Sequence, residues 1–323
     1  MRRNLVLFTI AFVVAFLAIV SFHGIPTADL QSLGRMVSGR GQAVFFANSI
    51  GRAKSECDSD GRSIVQFATL DSREKIIDSA VGGMPLNVAM QSARIGMTLK
   101  RVDALIFLVS AYDGYFNAAQ LPYGLGSWIE DNLGFIVGRS PVSEENRTPL
   151  VFEGHRFGVY DELARTYFAR EKAARTCPEK PGVDQLFLRF MYWRNLAHTP
   201  VDGKGLQAFE RFVDDAKRSG VRVMVVFTPV NVELARKVMT PQSLAVMYAN
   251  MKNIRADIRK ANIRYVDLQE ALPQSAFADQ WCACGHMNQS GRAVVGRAIA
   301  NMLNAKDGPY GVVLPPYWGA KSD

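Results

Sequence analysis

The 323 residues carry 48% hydrophobic side chains and a formal net charge of +8 that is spread along the chain. That is ample apolar material for a core. No nucleic-acid-binding motif accompanies the positive balance, which excludes nucleic acid as a partner, and no internal repeat or low-complexity tract is present.

In chain order, Met1-Arg2-Arg3-Asn4 comes first, followed by Leu5 to Phe22, a run with no charge and only Thr9 and Ser21 as polar side chains. As a helix, that run measures about 27 Å, close to the thickness of a hydrocarbon core. Arg2 and Arg3 in front predict a cytoplasmic N-terminus and a main domain on the extracytoplasmic, periplasmic side of the inner or plasma membrane. A cleaved signal peptide is the rival reading. The following Ser-Phe-His-Gly-Ile-Pro offers no small-x-small cleavage site, so an uncleaved anchor over residues 1–24 is favoured. Residues 25–42 then read as a linker.

The roughly 300 residues that remain exceed the usual domain length, and one α/β domain with an insertion accounts for them. Residues 43–48 and 76–81 read as strands. Pro85 to Arg101 has apolar residues at helical spacing, and Ala104 to Val109 is a continuous apolar run, as expected of a parallel strand covered on both faces. Residues 114–204 interrupt the rhythm with an insertion holding two expected helices, Tyr160–Arg175 and Asp184–Ala197; it could form a lid or groove, or merely cover the sheet. The alternation resumes with a helix over Leu206–Ser219, a strand over Val221–Phe227, a helix over Ala245–Ala261, a strand over Ile263–Leu268 and a final helix over Gly291–Asn304. Residues 305–323 read as a tail. This pattern predicts a three-layer, flavodoxin-like sandwich with a central parallel sheet over residues 43–304. Ligands in such sheets bind at the carboxyl ends of the strands, where Ser49, Gly83, Tyr112, Asp113 and Thr228 fall.

The four cysteines, Cys57, Cys177, Cys282 and Cys284, favour disulfides outside the cytoplasm, with three connectivities open. Cys282, Cys284 and His286 at period two could also line one side of an extended segment. A metal there needs a fourth ligand, such as Asp279 or water, and the disulfide reading is preferred. No cofactor is implied. The basic residues, such as Arg35, Arg40, Arg52 and Lys54, read mostly as solvated faces; a minority could favour an anionic surface polymer or lipid head groups.

Three segments carry chemistry. Ala43 to Gly51 is an apolar run ending on Asn48-Ser49-Ile50-Gly51; Asp78 to Met84 closes on Gly82-Gly83; and His286-Met287-Asn288-Gln289-Ser290-Gly291 precedes the last helix. A hydroxyl at a strand end, a glycine turn with free N–H groups and a late histidine are the parts acyl transfer requires.

In that order, the segments resemble the SGNH/GDSL hydrolase superfamily over about residues 43–113 and 205–304. The N-terminal anchor resembles the membrane-bound branch that contains the D-alanyl transfer protein of teichoic-acid alanylation. Ala47-Asn48-Ser49 stands where the family has Gly-Asp-Ser, and Gly83 (or Gly82) matches the glycine that donates to the oxyanion. Ser110-Ala111-Tyr112-Asp113 aligns with Gly-x-Asn-Asp, with Tyr112 in place of the oxyanion asparagine. The Asp-x-x-His block ends at His286, but the residue three before it is Ala283, and Asp279 is the nearest acid. The resemblance implies Ser49 as nucleophile, His286 as base, Asp279 as its carboxylate, and the Ser49 and Gly83 N–H groups as oxyanion donors. Asp113 reads as an acid behind the site or a helix cap, and Asn48 and Asn288 as neighbours of the site.

Two functional classes follow. One is an envelope acyltransferase or esterase acting on an acylated cell-surface glycan or polymer, served by a membrane-embedded protein that supplies the acyl donor. The other is a catalytically silent SGNH-like protein that binds such a polymer or a partner, which Tyr112 and Ala283 favour.

Overall fold

The computed structural model describes residues 28–52, 58–81, 84, 86–110, 150–157, 185–198, 203–278, 285–305 and 311–313. In chain order the elements are α1 (Ala28–Ser38), β1 (Ala43–Phe46), α2 (Ile64–Asp71), β2 (Ile76–Asp78), α3 (Leu86–Leu99), β3 (Ala104–Val109), β4 (Leu150–Phe152), β5 (His155–Phe157), α4 (Gln185–Leu196), α5 (Gly203–Arg218), β6 (Arg222–Phe227), α6 (Val232–Val238), α7 (Pro241–Lys260), β7 (Arg264–Asp267), α8 (Gln289–Asn304) and β8 (Val312–Val313). One sheet runs in the order β2-β1-β3-β6-β7-β8, and β4 and β5 form a separate antiparallel pair. All five pairings of the large sheet are parallel. The protein is therefore an α/β fold around a central parallel sheet.

β3 sits at its centre because it can. Every residue from Ala104 to Val109 is buried, and the strand pairs with β1 on one side and β6 on the other, Ala104 opposite both Ala43 and Arg222. Alternate residues feed two cores, since successive side chains leave opposite faces of a strand. Val44, Phe46, Leu105, Phe107, Val225 and Phe227 face Met36 of α1, Leu86 and Met90 of α3, and Phe209 and Phe212 of α5. Phe107 stacks on Phe46 at 5.1 Å between centroids and takes the edges of Phe209 and Phe212, each at 5.5 Å. Phe45, Ile106, Leu108, Met224 and Val226 face Ile64 and Ala68 of α2 and Val295, Ile299 and Met302 of α8.

Several boundaries differ from the sequence reading, for identifiable reasons. The stretch expected as a linker holds α1, whose Met36 is wholly buried. α2 had no expected counterpart, yet it carries a complete capping box: Ser63 Oγ accepts from the Gln66 N–H at 3.3 Å, and Gln66 Oε1 accepts from the Ser63 N–H at 2.7 Å. α7 begins four residues before the expected Ala245 because Thr240 caps it, Oγ1 accepting from the Ser243 N–H at 3.2 Å, and Pro241 opens it. β8 lies in the expected tail and pairs with Val266 and Asp267. α6 and the β4–β5 pair were likewise not expected. In the insertion, α4 matches the second expected helix within a residue at each end, and its Leu188, Tyr192 and Leu196 pack on Val232 and Leu234 of α6 and Met247 and Met251 of α7. The expected helix over Tyr160–Arg175 and the expected anchor over Leu5–Phe22 lie outside the described residues. Among those described, no helix is long and apolar enough to cross a membrane.

The strand order reverses between β1 and β3, with β2 on one side and β6 on the other. Such a switch point opens a crevice at the carboxyl ends of the flanking strands. The helix pair α2–α8 covers the face beneath it at very short range. A Cβ on Gly296 of α8 would stand 2.6 Å from Phe67 Cβ and 2.9 Å from both Ala68 N and Ile64 O. Gly296→Val should lower stability by about 2–3 kcal/mol, because the clash is with backbone that cannot yield and overpacking outweighs any gain in helix propensity. Thermal and urea unfolding of the variant checks this.

Candidate active site

Ser49 opens a short 3-10 turn, Ser49–Gly51, directly beyond the carboxyl end of β1. Two features fix the turn. The Asn48 side-chain oxygen accepts from the Ile50 N–H at 2.9 Å, a local bond that asparagine makes readily in turns. Gly51 lies so close to β1 that a Cβ there would meet Ala47 Cβ at 2.5 Å and Phe45 Cε1 at 3.0 Å. Ile50 is buried in the core beneath. The Ser49 backbone is thus held at the switch point by packing on one side and a hydrogen bond on the other; its hydroxyl lies outside the described atoms.

His286 is half-buried and lies three residues before α8. Its carbonyl accepts from the Ala278 N–H at 2.9 Å, and the Asn288 N–H donates to the Ala276 carbonyl at 3.0 Å. Between these bonds, Phe277 and Met287 form an antiparallel bridge. This clasp brings residue 278 against residue 286, so separation along the chain is no guide to separation in space here. Met287 and Ile50, the neighbours of the two expected catalytic residues, are buried in the same apolar cluster. Asn288 caps α8, its side-chain oxygen accepting from the N–H groups of Ser290 at 3.1 Å and Gly291 at 3.3 Å, while Nδ2 donates to the Ser275 carbonyl at 2.7 Å. Asn288 and Asn48 therefore spend their side chains on backbone geometry.

One residue absent from the sequence reading organises this region. Arg292, the fourth residue of α8, is 0% exposed, and its partner Asp58 is 5% exposed. Its Nη1 donates to Asp58 Oδ2 at 2.6 Å and to the Met287 carbonyl at 2.9 Å; Nε and Nη2 donate to the carbonyls of Arg62 and Asp60, each at 2.8 Å. Asp58 Oδ1 accepts from the Gln289 N–H at 3.1 Å, and Gln289 Oε1 accepts from the Asp60 N–H at 2.8 Å and the Ser59 hydroxyl at 2.9 Å. The segment that follows the Ser49 turn is thereby tied to the helix that follows His286. The available signal was a cation near a helix N-terminus, where the helix dipole disfavours it, on an otherwise apolar face.

Other titratable groups do different work. Asp267, at the end of β7, is buried beside Arg255 at 2.5 Å, and burial pushes its carboxyl above the usual range against the pull of the Gln269 N–H and Arg255. His198 lies against the Trp193 ring at 4.5 Å, and burial, with Arg194 adding to it, lowers its pKa. Ser110 directly follows β3 and is buried. Gly82, Gly83, Tyr112, Asp113, Asp279 and all four cysteines lie outside the described residues. Among those described, no cluster of His, Cys, Asp and Glu forms a metal-ligating group.

No protein-family model matches the chain, and no curated protein matches it in sequence. Among solved structures, it is similar to a catalytic mutant of Axe2, an acetylxylan esterase from Geobacillus stearothermophilus, at 10% identity and a TM-score of 0.42, over 82% of this chain and 94% of that one. It is similar to a protein described as a GDSL-like lipase from Parabacteroides merdae at 11% identity and 0.39, over 82% and 95% of the two chains. A protein described as an acylhydrolase from Bacteroides fragilis gives 11% and 0.38, over 83% and 88%. Likeness at this level carries nothing about the site.

Breaking the buried pair from either side should cost about 3–5 kcal/mol, because each single change leaves an uncompensated buried charge. Asp58→Ala and Arg292→Ala are expected to be non-additive in a double-mutant cycle read by urea unfolding. Additive losses would show that the two groups do not act as a pair.

Proposed function

We propose that the protein is a membrane-anchored, extracytoplasmic serine acyltransferase or esterase of the SGNH type, acting on acyl groups of a cell-surface glycan or related polymer. The finer assignment, to the membrane-bound branch that contains the D-alanyl transfer protein, belongs to the same proposal. The observation that carries the reading is the turn at Ser49, clamped at the switch point of a parallel sheet. It is supported by the tie from Asp58 to Arg292, which links the chain beyond that turn to the helix after His286.

In this reading, Ser49 Oγ attacks the ester or thioester carbonyl while the His286 imidazole takes its proton. The oxyanion is received by the Ser49 and Gly83 N–H groups. Collapse expels the alcohol or thiol, which leaves with the proton from the imidazolium, and the acyl group stays on Ser49. A polymer hydroxyl or water then attacks the acyl-serine by the same route in reverse. Asp279 comes one peptide after Ala278, whose N–H donates to the His286 carbonyl; that adjacency supports it as the carboxylate orienting the imidazole despite its distance in sequence. The runner-up is a silent, polymer-binding relative, favoured by Tyr112 in place of the oxyanion asparagine and by Ala283 three residues before His286.

Hydrolysis of a small aryl ester separates the two. Ser49→Ala and His286→Ala should each lower kcat/KM by about a thousandfold or more, and the double variant should lose little beyond either single one, since the residues act as a unit. Asp279→Ala should cost less. Circular dichroism should show all the variants folded. A folded wild-type protein without esterase or transferase activity would favour the silent reading.

A further inference from the structure

We infer that the carboxyl edge of the sheet, where Ser49 sits, is the face the domain turns toward the lipid bilayer. The inference rests on the anchor and site readings above, and it follows from the direction of α1 and the length of chain in front of it.

α1 runs antiparallel to β2. After its last turn, the Gln42 N–H donates to the Lys75 carbonyl at 3.2 Å, at the amino end of β2. Six residues earlier in the helix than Ser38, the Ser32 carbonyl accepts from the Ser79 hydroxyl at 3.1 Å, beyond the carboxyl end of the same strand. Ala28 lies about 6 Å further in that direction, at 1.5 Å per helical residue. There the Val81 N–H donates to the Ala47 carbonyl at 2.9 Å, two residues before Ser49. The first residue of α1 and the candidate nucleophile therefore share one edge of the sheet.

Six Cα steps separate Phe22, the end of the expected anchor, from Ala28. Fully extended, they reach at most about 22 Å, and the headgroup layer takes up part of that. The 16-residue α5 and α8, lying along the strands, give the domain a height of about 25–30 Å with its loops. Turned the other way up, with Gln42 and Arg101 toward the lipid, the domain would hold Ala28 beyond the reach of its connector. With the carboxyl edge down, the connector spans the gap easily. Arg52, exposed just after the Ser49 turn, then faces the headgroups, and an acyl donor held in the bilayer lies on the open side of the site.

The test uses the full chain in lipid vesicles. Because four native cysteines are present, a donor dye is attached through a single azide-bearing residue, replacing either Arg52 or Arg101, the latter at the amino edge with a 95% exposed side chain. Energy transfer to a headgroup-labelled lipid should be about twofold or more stronger from position 52, given a height difference near the strand length plus loops. Equal or reversed transfer in vesicle-bound, folded protein would overturn the orientation. Failure of the chain to float with vesicles would overturn it through its premise, the anchor. Retained esterase activity in Ser49→Ala, with the transfer order as expected, would leave the orientation standing and remove the catalytic reading instead.

Discussion

The Arg292 guanidinium lies wholly out of water near the start of α8, where the helix dipole opposes a positive charge. It is tolerable there only because Asp58 and three backbone carbonyls receive its N–H groups. Those acceptors come from two places: the entry to α2 and the residue after His286. This constellation fixes the entry to α2 against the start of α8, and the two helices also pack at backbone contact along Gly296. A buried pair of this kind adds little net stability. What it supplies is a fixed relation between the segment after the Ser49 turn and the segment that includes His286.

The rest of the edge follows from that relation. β1 ends where the strand order reverses, the Asn48 bond and the Gly51 contact lock the turn, and the clasp of residues 276–278 with 286–288 sets the last helix in place. Among the described residues, the side chains that fix this edge take no part in the proposed chemistry.

The sheet was legible because buried parallel strands leave long apolar runs. Ala104 to Val109 needed no other signal, and β6 and β7 were found within a few residues. Elements with little periodicity were not legible. β8 has two residues, and α2 is a two-turn helix whose signature, Ser63 three before Gln66, is polar. α1 lies within the stretch read as a linker, and its 11 residues leave only a short periodic pattern. Ser49 and His286 could be singled out because strand ends and glycine turns mark their segments. Arg292 and Asp58 could not, since charged residues usually lie on solvated faces, and only the fold shows them facing each other. The clasp that sets residues 276–278 against 286–288 was not legible for a related reason: its bonds join segments with no regular periodicity.

The central claim is that Ser49 is an activated nucleophile. Treatment of the folded, full-length protein with a fluorophosphonate, followed by intact-mass and peptide mapping, tests it most directly. One adduct per chain, on Ser49, formed much more slowly in His286→Ala, is the expected result. A folded protein that takes up no label, or takes it up on a different serine at equal rate with and without His286, would contradict the account.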